Sequence, residues 1–175
     1  HPGTPIADPV NVVYPGPFVR HVLVNFFAYL LGWLACVLGA AQGSPWIGVT
    51  AMALVAVLHL AFTTSPGREA LLLLAVGCIG ALWDGLLGRL GFVEFHSGMV
   101  LPWLGPVWAI ALWVGFATTL NVSLSWLQGR WYSALLLGAV GGPLVYWVSM
   151  ELGALRLPDL VAGLAVLAGG WSFLV

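Results

Sequence analysis

From residue 21 to the C-terminus the chain consists of six apolar stretches separated by short polar breaks, a pattern that admits no water-soluble fold. Each stretch approaches the roughly 20 residues that a helix needs to cross a hydrocarbon core about 30 Å thick. Period-two alternation is absent, so strands are excluded. Backbone polar groups in lipid must be satisfied within the spanning element, which a helix achieves alone. Spans are predicted over residues 21–41, 46–64, 69–89, 100–120, 131–152 and 158–175, the fourth running on to 127 as an interfacial turn. The sixth is short. The predicted fold class is all-α: a polytopic transmembrane helix bundle of about six spans, forming one domain over 19–175. It is preceded by an extended tail over 1–18, where Pro2, Pro5, Pro9, Pro15 and Pro17 forbid a helix.

Charge is scarce enough to be informative. Only 6% of residues are charged, against about 25% in a soluble domain, and the chain has no lysine. A net charge of −1 supplies no basic surface for nucleic acid. With six spans, Arg20, Arg68 and Arg130 share one membrane face; Arg89 and Arg156 share the other with Asp84, Glu94, Glu151 and Asp159. The arginine bias places both termini in the cytoplasm. Cys36 and Cys78 lie in apolar runs and read as small buried hydrophobes. No metal-ligand pattern is present in the sequence, and no cofactor is expected beyond bound lipid.

Asp84 is the sharpest polar feature. It precedes Arg89 by five residues, about 8 Å inside the end of the third span at 1.5 Å per residue. A carboxylate at membrane depth costs about 2.5 kcal/mol or more unless paired or hydrated. Arg89 falls on nearly the opposite helix face, so the partner of Asp84 is expected on another helix. Tyr146 and Glu151 are candidates to close a cluster with it. The cluster serves either as a proton or ligand site or as a structural bridge. A second cluster is expected toward the cytoplasmic face, from Asn25, His59, Thr118, Thr119 and Asn121. These residues either bridge helices or bind a polar headgroup. His59 is also the right residue type for a pigment ligand.

Small residues four apart mark the packing. Gly77, Ala81 and Gly85 form one row on the third span, Gly80, Asp84 and Gly88 the next, and Gly138 and Gly142 repeat the spacing on the fifth. The Asp84 row therefore faces protein. Pro102 and Pro106 imply a kink or helix start in the fourth span. Trp46, Trp103, Trp126 and Trp131 suit an interfacial belt, whereas Trp33, Trp108 and Trp113 sit deeper. No HExxH, P-loop or GxSxG motif occurs, so any catalytic role would fall to Asp84 and Glu151. The two halves of the chain show no repeat of the kind many transporters use.

The strings NFFAYLLGWLACVL at 25–38, ALWDGLLGRLGFVEF at 81–95, PVWAIALWVGFATTLNVSLSWL at 106–127 and GPLVYW at 142–147 carry a family resemblance. Over about residues 20–175 the chain resembles a family of small polytopic bacterial inner-membrane proteins known only as a domain of unknown function. That resemblance implies a bacterial inner membrane location. It also implies an encoding near cyclopropane-fatty-acid-synthase-like enzymes, and hence a link to lipid modification. The proline-rich tail departs from the family pattern.

Three functions compete on this basis. The first expectation is a non-enzymatic accessory or structural subunit, partnered by membrane lipids and other membrane protein subunits through the tail. The alternative is a lipid-pathway component that binds or modifies an acyl or isoprenoid substrate. The third is a small proton-coupled transporter with Asp84 as its coupling carboxylate.

Overall fold

A computed structural model describes residues 16–174. It contains six helices: α1 (Gly16–Ala41), α2 (Trp46–Phe62), α3 (Pro66–Arg89), α4 (Val107–Leu120), α5 (Trp131–Glu151) and α6 (Leu160–Leu174). A single turn of 3₁₀ helix at Ser125–Leu127 and two short strands, β1 (Glu94–Phe95) and β2 (Leu155–Arg156), complete the elements. Residues 20–41 of α1, all of α3 and all of α5 are long and apolar enough to cross a membrane. The other three helices are apolar but shorter. The chain is an integral membrane protein with an all-α bundle.

The helices pair in sequence order as three hairpins. α1 lies against α2, α3 against α4, and α5 against α6, while α4 also packs on α1 and α2. One glycine pattern builds all three. Gly32 and Gly43, Gly80 and Gly91, and Gly142 and Gly153 are pairs eleven residues apart. The first member of each pair gives room to a large side chain of its own hairpin partner. Met52 seats on Gly32, Trp113 on Gly80 and Trp171 on Gly142, and a Cβ at any of these glycines would collide with that side chain. The second member ends its helix. In α3 the Phe92 N–H bonds to the Leu87 carbonyl at 3.0 Å and the Gly91 N–H to Gly88 at 3.2 Å. Ala154 and Gly153 make the same two bonds to Ser149 and Met150 at the end of α5. This closing motif needs a left-handed residue, which glycine supplies without a Cβ clash. Gly91 has φ 75° and Gly153 φ 85°.

The two closures launch β1 and β2, which pair antiparallel with Glu94 opposite Arg156 and Phe95 opposite Leu155. The pair ties the α3–α4 connection to the α5–α6 connection on one membrane face. Gly91 and Gly153, Glu94 and Arg156, and Asp84 and Tyr146 are all 62 residues apart. The second and third hairpins thus share one local pattern, offset by 62 residues along α3 and α5 and by 58 between the seated Trp113 and Trp171.

Several expectations need correction. Residues 1–15 of the predicted tail lie outside the described residues, and residues 16–18, expected to be extended, already belong to α1. Proline is tolerated in a first turn, where its missing N–H has no helical partner anyway. The fourth span does not begin at residue 100. Pro106 is held at ψ 151°, extended backbone, so α4 starts at Val107. Residues 98–106 instead run as non-helical chain against α3, with the Gly105 N–H bonded to the Ala81 carbonyl at 2.8 Å. Of this stretch only Gly105 and Pro106 are buried, where the chain presses on α3, while residues 99–103 are exposed. Asp159, placed in the first turn of the last helix, sits one residue before it and caps it, accepting the Ala162 N–H at 3.0 Å. Cys36 is buried as expected, but Cys78 is exposed on the bundle's outer surface.

Candidate functional site

Asp84 is 1% exposed although it carries a carboxylate. The Trp113 indole N–H donates to its Oδ2 at 2.9 Å, and the Tyr146 hydroxyl donates a short hydrogen bond to its Oδ1. Local structure dictates both contacts. Trp113 reaches Asp84 because Gly80, one turn earlier on α3, leaves room for the indole. On the other side of Asp84, Gly105 presses its backbone so closely that a Cβ there would touch the Asp84 Cβ at 2.5 Å. Tyr146 comes from the third hairpin, at the position that the repeat makes equivalent to Asp84. The carboxylate therefore lies on the seam between two hairpins, with one donor from each.

Aromatic rings fill the rest of the seam. Trp113 stacks on Trp171 with ring centroids 4.4 Å apart, and Phe116 meets Trp171 edge-on at 5.7 Å. Trp83 lies over Gly170, where any Cβ would overlap its ring. The indole N–H groups of Trp83 and Trp171 are buried without a hydrogen-bond partner. Beside Asp84 and Tyr146 is a cavity of about 40 Å³, bounded also by Trp108, Leu112, Ser149 and Leu155. About 10–15 Å³ admits one water, so the space suits a few waters. It is roughly tenfold smaller than a typical ligand pocket.

One helical turn beyond Phe116, on the opposite side of the aromatic layer, the seam widens into a cleft of about 590 Å³. Leu72 of α3, Leu120 of α4, Trp131 and Leu135 of α5 and Ser172 of α6 line it. Asn121 and Gln128 stand at its mouth, on the face that carries the α2–α3 and α4–α5 connections. The strand pair closes the seam at the other face.

The second predicted cluster resolves into two groups near the cleft face. Asn25 donates to the Thr118 carbonyl at 3.1 Å and accepts from the Ser123 hydroxyl, joining α1 to the end of α4. His59 Nε2 lies 3.0 Å from Glu69 Oε2, with the two side chains 8% and 12% exposed. Asn121 donates to Glu69 Oε1 at 2.9 Å, and Gln128 donates to the Asn121 side-chain Oδ1 at 3.0 Å. Glu69, the first residue of the predicted third span, is the centre of this group. It joins α2, α3 and the end of α4.

Three candidate residues are placed differently from the sequence reading. Thr118 and Thr119 are buried but turn their hydroxyls back to the carbonyls of Gly115 and Phe116 in their own helix, so neither hydroxyl bridges helices. Glu151 is exposed and does not join Asp84. It lies five residues beyond Tyr146 and so projects from nearly the opposite side of α5. Tyr146 does meet Asp84, whereas the converging tryptophans Trp83, Trp113 and Trp171 were not among the candidates. The signal for Trp113 and Trp171 was the pair of glycines, Gly80 and Gly142, that seat them. No group of three or more metal-ligating side chains occurs among the described residues.

No curated protein and no solved structure matches the chain. Residues 22–175 match the model of the family described as protein of unknown function (DUF2878), and the chain belongs to that family.

Proposed function

We propose that the protein is a small proton-linked membrane transporter in which the second and third hairpins are the moving parts and Asp84 is the coupling group. One observation carries this reading. The completely buried carboxylate sits at the interface of two repeated hairpins, between a cleft open at one membrane face and a strand pair that closes the other. Repeat interfaces are where transporters place substrate and coupling-ion sites, and irregular backbone such as residues 98–106 accompanies them. Ionisable groups at membrane depth mark proton pathways. Protonating Asp84 removes the charge that the Tyr146 hydroxyl and Trp113 N–H satisfy, and so weakens the side-chain hydrogen bond from Tyr146 across the seam. The third hairpin is suited to move, because it meets the rest of the bundle through side chains and the strand pair.

A second reading, a lipid-pathway component, is favoured by the leucine lining of the cleft. The accessory role that the sequence put first gives way as the preferred reading. The seam supplies Asp84 with donors and with space for water.

Accessibility of the seam from the two faces is the test. In a background with Cys36 and Cys78 replaced, a single cysteine at Leu112 or Val145 is challenged with a membrane-impermeant thiol reagent in oriented vesicles. Labelling from both faces with Asp84 intact, and from one face only in Asp84→Asn, is expected. Labelling confined to one face in both proteins, at every pH, overturns the reading.

A further inference from the structure

The cleft carries a recognition chemistry of its own. Its wall is apolar, formed by Leu72, Leu120, Leu124, Leu127 and Leu135 with the Trp131 ring, and its volume of about 590 Å³ falls within the range of ligand sites, about 300–1,000 Å³. The rim is polar, with Asn121 and Gln128 among the lining residues, and two exposed arginines adjoin the lining along the chain. Arg68 is exposed on α3 four residues before Leu72, hence on the same helix strip one turn nearer the surface. Arg130 is exposed and flanked on both sides by residues that line the cleft, Gly129 and Trp131. The nearest carboxylate, Glu69, is occupied by His59 and Asn121 and lies only 12% exposed, so it neutralises neither guanidinium. The asymmetry extends to the whole face. Among the described residues it carries Arg20, Arg68 and Arg130 against Glu69, whereas the opposite face carries Arg89 and Arg156 against Glu94, Glu151 and Asp159. The neutral amides of Asn121 and Gln128 complete the rim.

We infer that the cleft holds an anionic phospholipid of the surrounding leaflet, its acyl chain against the leucine wall and its phosphate between Arg68 and Arg130. A leucine-lined slot between membrane helices is open to acyl chains from the side. Two exposed guanidiniums on residues adjoining the lining favour a negative headgroup by charge, and Arg pairs bidentately with phosphate. Resting on the transporter reading, this assigns the substrate class of the seam: an anionic amphiphile that enters at the cleft face and meets the aromatic layer one turn from Asp84.

The experiment is native mass spectrometry of the full chain released from nanodiscs of dioleoylphosphatidylcholine carrying graded dioleoylphosphatidylglycerol. One tightly held phosphatidylglycerol per chain is expected. Each of Arg68→Gln and Arg130→Gln should weaken it about fivefold, the worth of one basic side chain near a membrane surface. Arg89→Gln and Arg156→Gln, on the opposite face, should leave it within about twofold. Ala134→Trp, which fills the cleft, should abolish it. Equal retention of phosphatidylcholine, equal weakening by the four arginine changes, or unchanged binding in Ala134→Trp would each overturn the inference. Binding is read without transport, so Asp84→Asn should still hold the lipid. Lipid retained without two-sided labelling would sink the transporter reading alone. Two-sided labelling without the lipid would sink only the substrate class.

Discussion

Replacing Tyr146 with phenylalanine isolates the link across the seam. The change is isosteric, so it opens no cavity and leaves the buried ring in place. It deletes one of the two donors to a carboxylate that is 1% exposed, leaving the Trp113 N–H as its hydrogen-bond partner. Hydrogen bonds to charged groups contribute about 1.5–3 kcal/mol. Interhelical hydrogen bonds in membranes average about 0.6 kcal/mol, because the dissociated helices find other partners. Asp84 is shut off from bulk water and only the small adjoining cavity offers a substitute partner, which places Tyr146→Phe between the two figures, at about 1–1.5 kcal/mol. A double-mutant cycle with Asp84→Asn, read by reversible unfolding in mixed micelles, should give a coupling energy of about 1 kcal/mol or more. Ser149→Ala is the control, since its hydroxyl bonds the Val145 carbonyl of its own helix and should cost less than about 0.5 kcal/mol. A coupling energy below about 0.3 kcal/mol would show that Asp84 and Tyr146 do not act on one another, and the account of the seam would fail with it.

Three other perturbations have definite outcomes. Gly138→Ala should destabilise by about 1–3 kcal/mol, since its Cβ would overlap the Trp171 carbonyl, whereas Gly141→Ala, with open space around it, should be neutral or stabilising by up to about 1 kcal/mol in the same unfolding assay. Gly153→Ala should cost about 1–2 kcal/mol by forcing a side chain into the left-handed region, and hydrogen exchange should show faster loss of protection at the β2 amides. A lipid-soluble maleimide should label Cys78 in the folded protein and leave Cys36 untouched until unfolding, checked by intact mass.

What could be read in advance divides along physical lines. The spans were legible because hydrophobic length is a local property, and the glycine rows on α3 and α5 were legible because small residues four apart are enough to define a face. The rows correctly turned Asp84 toward protein. The repeat was not recognised, although Gly32 with Gly43, Gly80 with Gly91 and Gly142 with Gly153 carry it. Unequal connections separate the pairs, 48 residues between the first and second and 62 between the second and third, so comparing halves of the chain hides it. The strand pair is two residues long on each side, too short for any alternation to register. Its only trace is a Leu-Gly step at the end of both α3 and α5. Polar pairing across the bundle was the least legible. Depth alone grouped Asn25, His59, Thr118, Thr119 and Asn121, but the threonine hydroxyls found carbonyls in their own helix, and Glu69, in the first turn of α3, became the hub. A carboxylate beside Arg68 looks solvated until a histidine from the neighbouring helix is seen to cover it.

The most direct test of the central claim is a pair of spin-label distances measured across the seam in nanodiscs at several pH values. One pair, Leu71→Cys with Tyr132→Cys, spans the cleft face; the other, Arg89→Cys with Glu151→Cys, spans the face closed by the strand pair, and all four positions are exposed. A transporter hinged on Asp84 predicts that lowering the pH shifts the two distances in opposite directions, and that Asp84→Asn fixes both at their low-pH values. Two narrow distributions that ignore both pH and the substitution would contradict it and leave Asp84 a structural bridge.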